Sequence, residues 1–318
     1  GSRSEASMKV QETKYHVAQL LGRKRVRDWS VLKTIRALTI SERLAALAGI
    51  AAAIASIAGF IPGLYRDRPV VIAQSHGFDI GDLIAVVVLG LGVAWSARGS
   101  VRGRGVMIGA LGYLLYSFVT YAFVIVLNPA TLLYIAVLGF GGWSFLTGLA
   151  KLDAQEMETM FASRLLRRAA AGFLLVTAAL FALNWLREIL ASVVSGQLPA
   201  GLAAAGWPMN PPYVLDLGFV IPIAVLAAIR LVRRQVGGAW LALSLLVFLP
   251  TLSVSVLLMT IFMAIEGQPL QLPLVAVFAA VMAVSTALAL LALQTRPLPS
   301  PRGMTHPEPV LLKRSPTL

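Results

Sequence analysis

Eight apolar runs, most of them close to the 20 or so residues a helix needs to cross a hydrocarbon layer of about 30 Å, dominate this chain. They fall at roughly 44–64, 80–97, 105–127, 130–150, 169–190, 215–233, 238–264 and 272–294. Lipid offers the backbone no hydrogen-bond partner, so a spanning segment must be a helix or part of a closed barrel. Barrel strands read as alternating segments of about ten residues, whereas these runs are continuous. The sequence therefore predicts an all-α integral membrane protein with eight transmembrane helices. Composition agrees, since only 13% of residues are charged, against about 25% in soluble domains. With no cysteine in the sequence, disulfides, Cys-ligated metal centres and thiol redox chemistry are excluded.

Loop charge predicts how the spans are oriented, because cytoplasmic loops collect Lys and Arg. Placing the N-terminus inside puts 24 of the 27 basic residues on the cytoplasmic face and leaves only Arg66, Arg68 and Arg187 outside. The six outer acids then give the outer face a net charge of −3 and the inner face +16. Both termini are expected to be cytoplasmic. The net charge of +13 is thus an orientation and lipid-contact signal. It does not indicate nucleic-acid binding, because no stacking platform or DNA-binding fold accompanies it.

The flanks and the halves carry their own signals. Residues 1–7, ahead of Met8, read as a cloning remnant, and no cleavable signal sequence follows. Residues 8–43 form a basic leader in which Arg23-Lys24-Arg25-Val26-Arg27 precedes Trp29, Leu32, Ile35 and Leu38 at helical spacing. That pattern suits an amphipathic helix lying on anionic lipid. Ser41 and Glu42 are placed to cap the first span, and residues 295–318 form a proline-rich cytoplasmic tail. Within the 44–294 domain, Asp82-Leu83 and Asp216-Leu217 open spans 2 and 6, and a basic glycine-containing turn follows each span. Halves 44–150 and 169–294 suggest two parallel four-helix repeats.

Every carboxylate and cation falls at or beyond a span end in this reading, which argues against an ion-driven carrier. The interior holds hydroxyls and rings instead. Tyr113, Tyr116, Ser117 and Thr120 share one face of span 3 at 100° per residue, with Tyr121 beside them. Tyr134, Trp143 and Ser144 in span 4, Asn184 in span 5, and Thr251, Ser253 and Ser255 beyond Pro250 in span 7 add to them. Interhelical hydrogen bonds and interfacial anchoring account for such groups; a pocket for a lipid or small molecule is the functional alternative. Pro250 frees a carbonyl near Leu246, and a kink there would open such a cavity. On the outer side, His76, Asp79 and Asp82 recur every third residue and suit a cation such as zinc or manganese. Helix capping by Asp79 and Asp82, and by Asp216 for span 6, is the plainer account. Trp207, Pro208, Pro211, Pro212 and Tyr213 before Asp216 suggest a rigid aromatic lid. No phosphate-binding loop, zinc-protease or serine-hydrolase signature occurs, and no cofactor is implied.

The segments Gly112-Tyr113-Leu114-Leu115-Tyr116, Tyr121-Ala122-Phe123, Asn128-Pro129, Leu132-Leu133-Tyr134, Leu215-Asp216-Leu217 and Pro222 resemble a family of bacterial multi-pass inner-membrane proteins that carry no assigned function. The resemblance covers about residues 80–235. It implies a bacterial cytoplasmic membrane location and directs attention to Tyr113, Tyr116, Asn128, Tyr134 and Asp216.

Three functional readings follow. The leading one is a membrane protein that binds a lipid or small ligand within the bundle, through the span 3 tyrosines with Asn128, Tyr134, Asn184 and Asp216, to transport or sense it. The second is an enzyme acting on a lipid-linked or cationic substrate at the outer face with His76, Asp79, Asp82 and Asp216. A third is an accessory subunit, assembled with a second copy or with another membrane protein.

Overall fold

A computed structural model describes residues 38–150 and 154–295. The amphipathic leader helix with its anionic-lipid contact and the proline-rich tail lie outside them. All eight expected spans are present as helices: α1 (Ile40–Ala58), α2 (Pro69–Ser96), α3 (Val101–Val124), α4 (Thr131–Leu149), α5 (Arg164–Ser195), α6 (Pro211–Val232), α7 (Gly238–Ile265) and α8 (Leu272–Gln294). No strand occurs among the described residues. Multi-pass helical membrane architecture therefore holds.

Two helix starts differ from the sequence reading, and both differences move carboxylates. Helix α2 begins at Pro69 rather than near residue 80. Proline suits the first turn of a helix, where its missing N–H is not needed, and polar Gln74, Ser75, His76 and Gly77 then continue the helix instead of forming a loop. At 1.5 Å per residue, Asp79 and Asp82 lie about 15 and 20 Å inside a helix about 42 Å long. Neither caps anything; both sit in the bundle, and the expectation that no ionisable group enters the interior is overturned. Likewise Asn210 occupies the N-cap of α6 with Pro211 at its first position, so Asp216 is interior there too. At α1 the cap is Thr39, whose hydroxyl accepts from the Glu42 N–H while the Glu42 side chain accepts from the Thr39 N–H. Ser41 instead donates to the Ser144 carbonyl at 2.9 Å and receives the Ser144 hydroxyl on its own carbonyl at 2.7 Å, clamping α1 to α4.

Packing follows one scheme twice. Helices α1 to α4 neighbour each other in cyclic order, as do α5 to α8, and α7 then docks against α2 and α3. Small residues permit these approaches. Ala48, Ala52 and Ala55 are buried on α1, and Gly77 and Gly81 bring α2 onto α7 at Met259 and Ser255. On the same pattern, Gly109 sets α3 against Ser244 and Val247 of α7. The matching contact of α3 with α6 is slight and falls mostly at the first turn of α6. Beside that gap lies a cavity of about 570 Å³.

At one end of the bundle the connections are tied together: Asp67 accepts from the Val126 N–H at 3.1 Å, and Arg68 donates to the Ala203 and Ala204 carbonyls at 2.9 and 3.1 Å. At the opposite end Arg102 donates to the Leu293 and Thr295 carbonyls.

Candidate functional site

Two polar centres occupy the bundle, one closed and one open. The closed centre is built on α2. Asp82, fully buried, accepts from Tyr113 at 2.8 Å on one oxygen and from Ser117 at 3.1 Å on the other. Tyr113 also lies 2.5 Å from the Ser255 hydroxyl, which donates to the Thr251 carbonyl at 2.9 Å. One turn away, Asp79 accepts from Tyr65 and Tyr121 at 3.0 and 2.9 Å, and Tyr121 reaches the Ser75 carbonyl at 3.1 Å. A carboxylate in lipid is costly and needs such partners. Hydroxyls from α3 and from Tyr65 supply them, which explains why α3 presents Tyr113, Ser117 and Tyr121 inward. Tyr65 lies in the α1–α2 connection; burial first, and then the neighbouring Asp79, push its phenol far above the ordinary range. It therefore acts as a neutral donor.

His76 borders this centre through the Tyr65 ring, 6.0 Å away between centroids. Its imidazole stacks on Phe60 with centroids 5.0 Å apart and meets the ring of Phe262 edge-on at 5.8 Å. Among the described residues no three His, Cys, Asp or Glu side chains are grouped to hold a metal, so His76, Asp79 and Asp82 do not converge as a ligand set. Asn128 and Tyr134 are local structure. The Asn128 side chain accepts from the Ala130 N–H at 2.8 Å, shaping the turn into α4, and contacts the Tyr134 hydroxyl at 3.3 Å. Tyr134 packs on Phe118 and Tyr121.

The open centre is a cavity of about 570 Å³ among α3, α5, α6, α7 and α8, with Gln74 and Phe78 of α2 and the 199–210 connection at its rim. Its lining runs along α7 from Leu245 to Met259, about 21 Å of helix. From the predicted group it receives Tyr116, Thr120 and Asp216; Trp207, Pro212 and Tyr213 of the expected lid line it as well. Of the four residues assigned to an outer-face enzyme, only Asp216 is in the lining. The tyrosine face of α3 is therefore divided: Tyr113 and Ser117 close onto Asp82, while Tyr116 and Thr120 border the cavity.

Asp216 owes its position to a backbone irregularity. Residues Asp216–Val220 form one π-helical turn, with the Ile221 N–H donating to the Asp216 carbonyl five residues back. Pro222 follows and has no N–H to continue an ordinary ladder; single π turns of this kind recur at functional sites. Asp216 accepts from the Trp185 indole at 2.7 Å through Oδ2, while Oδ1 has no hydrogen-bond partner. Tyr116 faces the same carboxylate.

Trp185 in turn packs against Tyr213 with centroids 5.2 Å apart. Tyr213 donates to Glu188 at 2.7 Å, and Asn184 donates to the other Glu188 oxygen at 3.4 Å. Asn184 thus supports the cavity from behind and does not line it. Trp185, Glu188, Phe181 and Phe278 were not singled out in the sequence. The first three sit at helical spacing around Asn184, but nothing in an apolar run marks which side of α5 meets a void.

Pro250 lies inside α7, and Leu249 and Leu252 beside it reach the cavity. Thr251 donates to the Phe248 carbonyl at 2.7 Å and to that of Val247 at 3.1 Å rather than to Leu246. Comparison with known proteins adds no analogy, since no family model, curated protein or solved structure matches the chain.

Proposed function

We propose that this protein binds a small apolar or amphipathic molecule in the cavity between α3 and α5–α8, as a transporter or sensor in the cytoplasmic membrane of a bacterium. The observation that carries this reading is the cavity itself. Its volume of about 570 Å³ falls within the usual range for ligand pockets, which are mostly apolar with a few convergent polar groups. Leucine and phenylalanine side chains form most of the deep wall, whereas Trp185, Glu188, Tyr213 and Asp216 gather toward the end where the 199–210 connection runs. An amphipathic guest would place its body and its polar head accordingly. Cytoplasmic termini are supported by the charge asymmetry of the loops, and bacterial origin by the resemblance over residues 80–235.

Native mass spectrometry of the detergent-purified chain, alongside an Ala224→Trp variant, tests the reading. Ala224 is buried in the lining, and an indole there fills the space. A small molecule retained by the wild type and released by the variant is expected. Equal retention by both, or none by either, would sink the proposal.

A further inference from the structure

We infer that the cavity takes a ligand with a cationic head, an ammonium on an apolar body that carries no anionic group of its own. This rests on the reading of the cavity as a ligand site and names the class of molecule that fits it.

Charge is the first argument. Two carboxylates, Asp216 and Glu188, line the cavity, and no Lys, Arg or His does. Their partners are neutral: the Trp185 indole for Asp216, with the Tyr116 phenol facing it, and the Tyr213 hydroxyl and Asn184 amide for Glu188. These bonds orient the carboxylates without compensating their charge. Asp216 is only 7% exposed, and its Oδ1 is buried without a partner. An unpaired carboxylate oxygen in an apolar surrounding is costly, and a positive group removes that cost most effectively.

The aromatic lining is the second argument. Trp185, Tyr213, Phe181 and Phe278 surround the same end, with Phe181 and Phe278 5.4 Å apart. Ring faces attract an ammonium through their quadrupole, and the effect grows when the cation is desolvated. Aromatic faces beside a carboxylate suit an organic cation better than a metal ion, and among the described residues no third carboxylate or imidazole joins these two.

The third argument excludes a zwitterionic lipid headgroup. Its phosphate would meet two carboxylates and no cation. Arg68 and Arg187 stand at this end but outside the lining, bonded to the Ala203 and Ala204 carbonyls and to the Asn184 side-chain oxygen, whereas Arg167, Arg230 and Arg234 line a separate cavity of about 390 Å³. A lipophilic amine satisfies the α5–α6 end, and a phospholipid does not.

Titration of tryptophan fluorescence in the full chain, purified in a neutral maltoside detergent, decides this. The probes are benzyltrimethylammonium and neopentylbenzene, which replaces the charged nitrogen by carbon at the same shape. Saturable binding of the cation, at least about tenfold tighter than its isostere, is expected. Asp216→Asn keeps an acceptor for Trp185 and should reduce the cation to the level of the isostere without changing the isostere's own binding. Glu188→Gln, nearer the rim, gives a second reading if the first variant has a lowered unfolding midpoint. Equal binding of the two probes overturns the cation while leaving the ligand site intact. Binding of neither probe overturns the ligand site as well. Displacement of benzyltrimethylammonium by dodecylphosphocholine as efficient as by dodecyltrimethylammonium would show a headgroup site and overturn the anion-free ligand.

Discussion

Tyr113 holds the closed centre together through one hydroxyl, 2.8 Å from Asp82 and 2.5 Å from Ser255. Tyr113→Phe leaves a buried carboxylate oxygen short of a donor, a loss of about 1–3 kcal/mol, and should lower the unfolding midpoint in detergent. Tyr134→Phe removes long contacts with Asn128, at 3.3 and 3.4 Å, and an interaction with the neutral Tyr65 phenol, and should change it less. Asp67, in the α1–α2 connection, offers a pH test. Burial holds its carboxyl above the usual value, against the Val126 N–H bond that pulls it down. A raised folded value means the native state holds the proton more tightly. The Asp67 contribution to stability is therefore complete below the ordinary value of 3.8 and is lost as pH rises through the higher folded value. Asp67→Asn should match the wild type below that range and exceed it at neutral pH, in unfolding midpoints measured across pH. At this scale the sequence was informative about α3, where hydroxyl spacing announced a polar face. It misled at Asp79 and Asp82, because an acid three residues before another at an apparent span start looks like a cap.

The reason lies in α2. Its first eleven residues mix Gln74, Ser75, His76, Gly77 and Asp79 with apolar neighbours, and hydropathy discounts such a stretch even when other helices supply its partners. Glycine placement shows which face is committed. A Cβ on Gly77 would run into the Met259 backbone, whereas one on Gly90 meets nothing within 4 Å. Gly77→Ala should therefore cost about 1–3 kcal/mol through enforced separation of α2 and α7, visible as a lowered unfolding midpoint. Gly90→Ala should be neutral or gain up to about 1 kcal/mol from helix propensity. Equal effects of the two would mean that α2 does not pack on α7 through this face. In α6 the sequence located Asp216 and Pro222 but not the π turn between them, since the turn arises from the ladder position that proline vacates. The aromatic stretch ahead of Asp216 was legible because Trp, Pro and Tyr cluster where an apolar span has no need of them. Trp185 and Phe278 were invisible, being ordinary members of apolar helices until their neighbours are known.

Taken whole, the bundle was readable because eight continuous apolar runs leave few alternatives to eight spanning helices. The contact between α3 and α6 is slight, and the cavity beside it depends on tertiary packing that no single segment encodes. Orientation is open to a direct check, since the chain has no native cysteine. In intact cells, Gly267→Cys should react with an impermeant maleimide, and Gln235→Cys should react only after the membrane is opened. The reverse pattern would refute cytoplasmic termini. The same absence of thiols permits the most direct test of the central claim, a ligand-accessible cavity between α3 and α5–α8. Thr177 is buried but lines it, whereas Ala85 is buried with no exposure in the core. Modification rates of Thr177→Cys and Ala85→Cys should be measured with a cationic aminoethyl and an anionic sulfonatoethyl methanethiosulfonate. The account predicts that Thr177→Cys reacts, faster with the cation by about tenfold or more, and that adding Ala224→Trp abolishes the reaction. Modification of Thr177→Cys as slow as that of Ala85→Cys, with either reagent, would contradict it.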